Sequence, residues 1–239
     1  MKPNNLILIG SGDFALEVSD YLTEKNKDSL EEELIITDIV SKSEDRFNEI
    51  CSILGYKPLH HKSLTTIKKK DDKSALVCLG SSEKRHKCYQ ELKKNKFNIG
   101  TFIHNTALVS NSSIINNGVI VCPYVFIGAN SVIEANTVLN VRATIGHDVK
   151  IGESSVISPH ANLNGNSKCG DVSFIGAGAV IDPGSLIGDF SKVSSGSIVK
   201  GNFGDGFLLS GNPAKGRKMF KVNPNVEAVE IMEKVTSND

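Results

Sequence analysis

Val109-Ser110-Asn111-Ser112-Ser113-Ile114-Ile115-Asn116-Asn117-Gly118-Val119-Ile120-Val121 opens a run that repeats every six residues. Reading each sixth position gives Val109, Ile115, Val121, Ile127, Ile133, Leu139, Ile145 and Ile151. The step continues through Ile157, Leu163, Cys169, Ile175, Ile181, Ile187, Val193 and Val199. Two residues before each of these stands Ala, Ser, Thr or Val, from Ala107 to Ser197. Neither a heptad nor a 3.6-residue helix sustains a period of six, whereas a hexapeptide β-helix does. Each hexad is then a short strand with its aliphatic residue inward, followed by a corner. Corner positions hold Asn117-Gly118, Pro123, Ala135-Asn136, Gly165-Asn166, Pro183-Gly184 and Ser195-Gly196, mostly residues that accept tight turns. Three hexads close an 18-residue triangular coil, so about five coils are expected, a prism about 25 Å tall.

Working outward, the chain has 239 residues and no net charge, and residues 107–133 contain no charged side chain. This balance gives no bulk attraction to nucleic acid or anionic lipid. The five cysteines are scattered without a CxxC pair, which argues against a disulfide frame or a zinc knuckle. The apolar run near Met1 spans four residues, too short for a signal peptide or a membrane helix, and the chain reads as cytoplasmic.

Before the repeat, Leu6-Ile7-Leu8-Ile9 reads as a buried strand that breaks at Gly10-Ser11-Gly12-Asp13-Phe14-Ala15 into an amphipathic helix. Strand, glycine turn and helix make an anion-binding unit, because a helix N-terminus offers unpaired N–H groups. A second strand, Leu34 to Asp38, ends in a carboxylate near where a ribose-binding acid would sit. Helices are expected over Arg46–Leu54 and Glu83–Lys94, with a strand at Ala75–Gly80 between them. About 100 residues do not suffice for a full dinucleotide fold, so a Rossmann-like unit of three or four strands holding one nucleotide is expected. After Val199 the repeat fails. A loop at Gly201–Gly206, a brief strand at Phe207–Leu209 and the cations Lys215, Arg217, Lys218 and Lys221 follow, and Val226–Val235 reads as a capping helix. The fold class is thus α/β plus all-β. The divisions are 1–103 for the Rossmann-like domain, 104–200 for the β-helix, and 201–239 for the C-terminal loop, basic segment and cap.

Among six histidines, His147 falls two residues after inward Ile145, at a corner with its ring outward, and Asp148 follows it. Eighteen residues on, one coil higher, the same corner holds Gly165. A base with an oriented N–H above it is the pairing that acyl transfer needs, and Asp148 would fix the imidazole tautomer. A three-histidine zinc site would need a pair five residues apart plus a third. His147 and His160 are thirteen apart and His104 lies outside the repeat, so no metal is expected.

With these residues in view the chain resembles the bacterial sugar acetyltransferases that join a small Rossmann-like domain to a left-handed parallel β-helix. These form the sialic acid O-acetyltransferase-like group, which includes the nucleotide-linked 4-amino-sugar N-acetyltransferases. The likeness is carried by Ile9–Ala15, Thr37-Asp38, Leu79-Gly80 with Arg85, Phe102-Ile103-His104, Ile145-Gly146-His147-Asp148 and Gly211-Asn212-Pro213-Ala214-Lys215. Asp13-Phe14 stands where many members carry Gly-His. The resemblance implies a homotrimer with sites between neighbouring prisms, acetyl-CoA as cosubstrate, and a nucleotide-linked deoxy-amino sugar as acceptor. It further implies His147 as general base oriented by Asp148, and the thioester carbonyl near the Gly165 N–H. Gly10 and Gly12 would lie near phosphate, Asp38 near base or ribose and Asn140 by the sugar, with Lys215 and Arg217 on the CoA phosphates. O-acetylation of a sugar or sialic acid is the alternative chemistry, and a non-catalytic nucleotide-sugar-binding scaffold the alternative class.

Overall fold

The computed structural model describes residues 4–28, 34–67 and 72–219. The expected capping helix over Val226–Val235 and the cation Lys221 lie outside them.

The N-terminal unit alternates β1 (Asn4–Ile9), α1 (Asp13–Asp28), β2 (Leu34–Val40), α2 (Glu44–Leu54), β3 (Leu59–His61), β4 (Lys73–Val77), α3 (Ser82–Lys94) and β5 (Asn98–Ile99). Capping chemistry sets its helix ends. Ser43 and Ser81 accept from the amides of Arg46 and Lys84, and Gly55 closes α2 in the left-handed conformation. The sheet is parallel with order β3-β2-β1-β4-β5, so five strands form, where three or four were expected. The short edge strands β3 and β5 carry too little apolar pattern to be read in advance. Strand order reverses between β1 and β4, which opens a crevice at their carboxyl ends.

From Phe102 onward the chain winds as the expected left-handed parallel β-helix. Strands 18 residues apart pair in register, as in Ile127↔Ile145 and Ile145↔Leu163, and build three flat faces, the first starting at Phe102–Ile103, the second at Leu108–Val109 and the third at Ile114–Ile115. The inward aliphatics from Val121 to Val199 are buried, as are the small residues two places before them. Those small residues also bond. Ser131, Ser155 and Ser173 each donate a hydroxyl hydrogen to a corner carbonyl one coil up, those of Gly146, Gly170 and Gly188. One residue per corner takes a positive φ, at Tyr124, Asn130, Asn136, Arg142, Asp148, Ser154, His160, Asn166, Val172 and Phe190. Each corner therefore turns through a left-handed residue whose N–H reaches the corner below, as Asp148 does to Ala129.

The repeat does not fail at Val199. Asn202–Phe203 and Phe207–Gly211 continue the third and first faces with partners only 16 residues below, Ile187↔Phe203 and Val193↔Leu209. Two corner residues are missing, so a six-residue step misses a coil that is nevertheless there. Ala214–Lys218 then turns back antiparallel on Phe207–Gly211 and ends the first face. Faces of six, six and eight strands make the prism taller than the expected five coils.

The first face is where the two units meet. Its outward residues Ile120, Cys122, Val138 and Val156 share one apolar core with Leu6, Leu8, Val18 and Leu22 of the N-terminal unit.

Candidate active site

Absent side chains explain how His147 is held. A β-carbon on Gly128 would lie 2.8 Å from the His147 amide nitrogen, and one on Gly146 would lie 2.7 Å from the Gly165 nitrogen. Glycines thus let three successive coils close at this corner. Above it, a β-carbon on Gly165 would lie 2.5 Å from His147 Nε2, so the imidazole occupies the space that Gly165 leaves open. Nδ1 stands 2.8 Å from Asp148 Oδ2, and Asn130, one coil below, donates to Asp148 Oδ1 at 3.4 Å. The hydrogen bond with His147 is the main reason the Asp148 carboxyl lies below its ordinary value. An ionised Asp148 favours the tautomer with the proton on Nδ1, which leaves Nε2 as the acceptor. Neither Nε2 nor the Gly165 N–H has a hydrogen-bond partner among the described residues. An unprotonated ring nitrogen beside an unpaired N–H donor suits removal of a proton next to a developing oxyanion.

A second group of expected residues gathers at the sheet crevice. Gly10 has a φ of 111°, and a β-carbon there would meet the Cys78 carbonyl at 2.8 Å, so only glycine fits. Gly12 opens α1, where its carbonyl accepts from Ala15 and Leu16. The crevice runs into a cleft of ≈ 210 Å³ lined by Phe14, Glu17, Gly80, Val138, Asn140, Val156, Ser158 and Phe174. Asn140 lines this cleft together with Phe14 of the glycine turn, with its Oδ1 accepting from the Val141 amide at 2.7 Å. Asp13 of that turn points outward into an ion pair with Arg46 at 2.7 Å. Glu17 and Ser158 were not singled out in the sequence, because the cleft exists only once the N-terminal unit is docked on the prism.

Asp38 is a correction. The strand runs two residues past it, to Val40, so its side chain is inside the sheet rather than at the crevice. It is 2% exposed, with Oδ1 2.9 Å from His61 Nε2 and Oδ2 taken by Lys73 and Thr37. Burial pushes its pKa up, but the hydrogen bonds from Lys73, Thr37 and His61 outweigh that and hold it low. Buried and paired at both oxygens, the carboxylate is closed to a ribose. Ser11 of the glycine turn is held instead by Ser41, just past β2, through a 2.6 Å hydrogen bond.

Lys215 and Arg217 lie exposed on the terminal hairpin, and Lys218 packs its ammonium over the Phe207 ring. At ~4.8 Å per coil the hairpin is about 22 Å above His147 along the prism. His160 sits in the Arg142–Gly178 column, as the 18-residue step requires. Asn140 and His147 occupy different corners, on either side of the strand Thr144–Ile145. Among the described residues no three His, Cys, Asp or Glu side chains are grouped to hold a metal, and no helix is long and apolar enough to cross a membrane.

No family model matches the chain. Several solved structures do resemble it. The acetyltransferase domain of PglB from Neisseria gonorrhoeae is 25% identical, with a TM-score of 0.76 over 90% of this chain and 100% of that one. PerB from Caulobacter crescentus, solved with CoA and GDP-perosamine, is 27% identical, with a TM-score of 0.76 over 89% and 97%. A variant of perosamine N-acetyltransferase from the same organism, again with CoA and GDP-perosamine, is 25% identical, with a TM-score of 0.73 over 89% and 96%. The sugar-acetyltransferase group that the motifs resemble is the one these structures represent.

Proposed function

We propose that the protein transfers the acetyl group of acetyl-CoA to the amino group of a nucleotide-linked deoxy-amino sugar. The amine nitrogen attacks the thioester carbonyl, and His147 Nε2 takes the proton that the nitrogen sheds. The Gly165 N–H holds the oxyanion, and the C–S bond breaks to release CoA. Asp148 keeps the imidazole in the receptive tautomer. Residues 1–103 hold the nucleotide sugar, with Gly10 and Gly12 near phosphate and Asn140 by the sugar, and residues 104–200 carry the acyl transfer. In 201–239, Lys215 and Arg217 meet the CoA phosphates.

The observation that carries this reading is the pairing of His147 Nε2 with the unpartnered Gly165 amide, one coil apart at an outer corner. Similar structures that hold CoA with GDP-perosamine support the choice of both substrates. Because Asn140 and His147 sit on different corners of one prism, a neighbouring copy must bring its His147 to this cleft. Exposed Leu108, Ile114, Tyr124, Phe126 and Leu186 on and beside the second and third faces support such an assembly, a homotrimer.

A thiol-release assay with acetyl-CoA and UDP-, GDP- and dTDP-linked amino sugars tests the proposal, with the matching hydroxy sugars alongside. Thiol release with an amino sugar and not with its hydroxy counterpart is expected. Release with the hydroxy sugars alone would establish O-acetylation instead, and no release with any sugar would leave a binding scaffold.

A further inference from the structure

Arg85 is fully buried, and among the described residues no carboxylate pairs with it. A guanidinium in that state normally requires an acid, since burying an unpaired charge is costly. Desolvation accordingly pushes its pKa down to about 10. Its partners are all neutral oxygens. Nη1 donates to the carbonyls of Val77 at 3.2 Å and Leu79 at 2.8 Å, at the carboxyl end of β4. Nε donates to the Asn136 carbonyl at 2.6 Å, and Nη2 to Asn136 Oδ1 at 3.1 Å, both across the junction on the prism. Asn136 answers with Nδ2 to the Arg85 carbonyl at 3.1 Å. The same Nδ2 also donates to Ser154 Oγ at 2.8 Å, which lies 3.2 Å from His86 Nδ1.

What these partners adjoin is the significant point. Leu79 immediately precedes Gly80, one wall of the cleft, and its side chain abuts the space beside Gly10. Asn136 comes two residues before Val138 and four before Asn140, the opposite wall. One planar fork therefore grips the backbone of both walls, and its rigid geometry fixes their separation in a way that a point charge on a flexible stem does not.

We propose that Arg85 is the positioning residue that sets the width of the cleft between the glycine turn and the prism, and thereby the fit of the nucleotide-linked sugar. The proposal rests on the cleft being the sugar-nucleotide site. It assigns Arg85 no contact with substrate.

The test compares the full-length protein with Arg85→Lys, which keeps the charge but reaches one wall, and with Asn136→Gly, which tolerates the left-handed backbone and removes the side-chain bonds to and from Arg85. Both are expected to raise KM for the nucleotide sugar about tenfold or more, the effect of losing one good hydrogen bond, while KM for acetyl-CoA stays unchanged. A lowered melting temperature with both KM values unchanged would reduce Arg85 to a stabilising residue and overturn the proposal. A wild-type protein that releases no thiol would refute the proposed function alone, and amide exchange then decides. Residues 78–81 and 137–140 are expected to exchange faster together in either variant, whereas faster exchange in one segment only, or in neither, overturns the proposal.

Discussion

The His147 imidazole fills the space that a β-carbon on Gly165 would take, with Nε2 only 2.5 Å from that point. A methyl group there must displace the ring or the coil above it. Because His147 is more than half exposed, the ring is the part that gives. Gly165→Ala should therefore swing Nε2 away from the Gly165 amide and lower kcat about 10²-fold, the scale of misplacing a general base. Its melting temperature should stay near that of the wild type. Unaltered turnover in this variant would separate Gly165 from the chemistry.

Asp148 offers a test of tautomer rather than of charge. Its carboxyl lies below the ordinary value of 3.8, first because of the hydrogen bond with His147, so it stays ionised through any assay above about pH 4. Asp148→Asn presents either an amide oxygen or an N–H to Nδ1, and the N–H would fix the proton on Nε2, the wrong nitrogen. A kcat loss of about 10²- to 10⁴-fold is expected, similar to that of His147→Ala. If Asp148→Asn retains full kcat while His147→Ala loses it, the imidazole needs no orienting partner.

These two residues were legible because the 18-residue step puts any corner residue under its neighbour, and the same step would have found Asn130 beneath Asp148. It would also have found the last coil. Gly152-Glu153, Gly170-Asp171, Gly188-Asp189 and Gly204-Asp205 recur up one corner, and each Asp oxygen accepts from the amide one coil below. The final interval shrinks to 16, and this reveals the two-residue shortening that hid the strand Asn202–Phe203 from a six-residue count. Register in the N-terminal sheet was not legible. An acid near the end of a strand reads alike whether it faces the crevice or, like Asp38, lies two residues short of it. The cleft was hidden for a different reason. Its walls are set by the Arg85–Asn136 contact across 51 residues, and no local pattern reports such a contact.

Asp38 gives a prediction of opposite kind to the catalytic ones. Its folded pKa is depressed, so its contribution to stability is fully present above the unfolded value. That contribution is lost as pH falls through the folded value, in the range below 3.8. Asp38→Asn leaves Lys73 buried without its counter-charge and should cost about 3 kcal/mol at neutral pH, with little further loss on acidification. At temperatures well below melting, KM for the nucleotide sugar should match the wild type, because neither Asp38 oxygen faces the crevice. A raised KM in a fully folded variant would restore Asp38 to the binding site.

The terminal hairpin carries the remaining prediction. Lys215 and Arg217 are both exposed and two residues apart on Ala214–Lys218, so they project from the same side of the strand. Gly216 between them faces the other way, where a β-carbon would meet Phe203, Phe207 and Leu209, so the strand cannot flip without opening the core. That packing fixes two cations about 22 Å up the prism from His147. If they meet the CoA phosphates, replacing both with Ala should raise KM for acetyl-CoA about tenfold, or roughly 1.4 kcal/mol. The rise should be smaller for acetyl-dephospho-CoA and should shrink as salt is added. KM for the nucleotide sugar should not move, since its cleft is on the side wall and not at the prism's end. An equal rise for both acetyl donors would place the cations away from the 3′-phosphate, and no rise for either would make the hairpin a cap for the last coil.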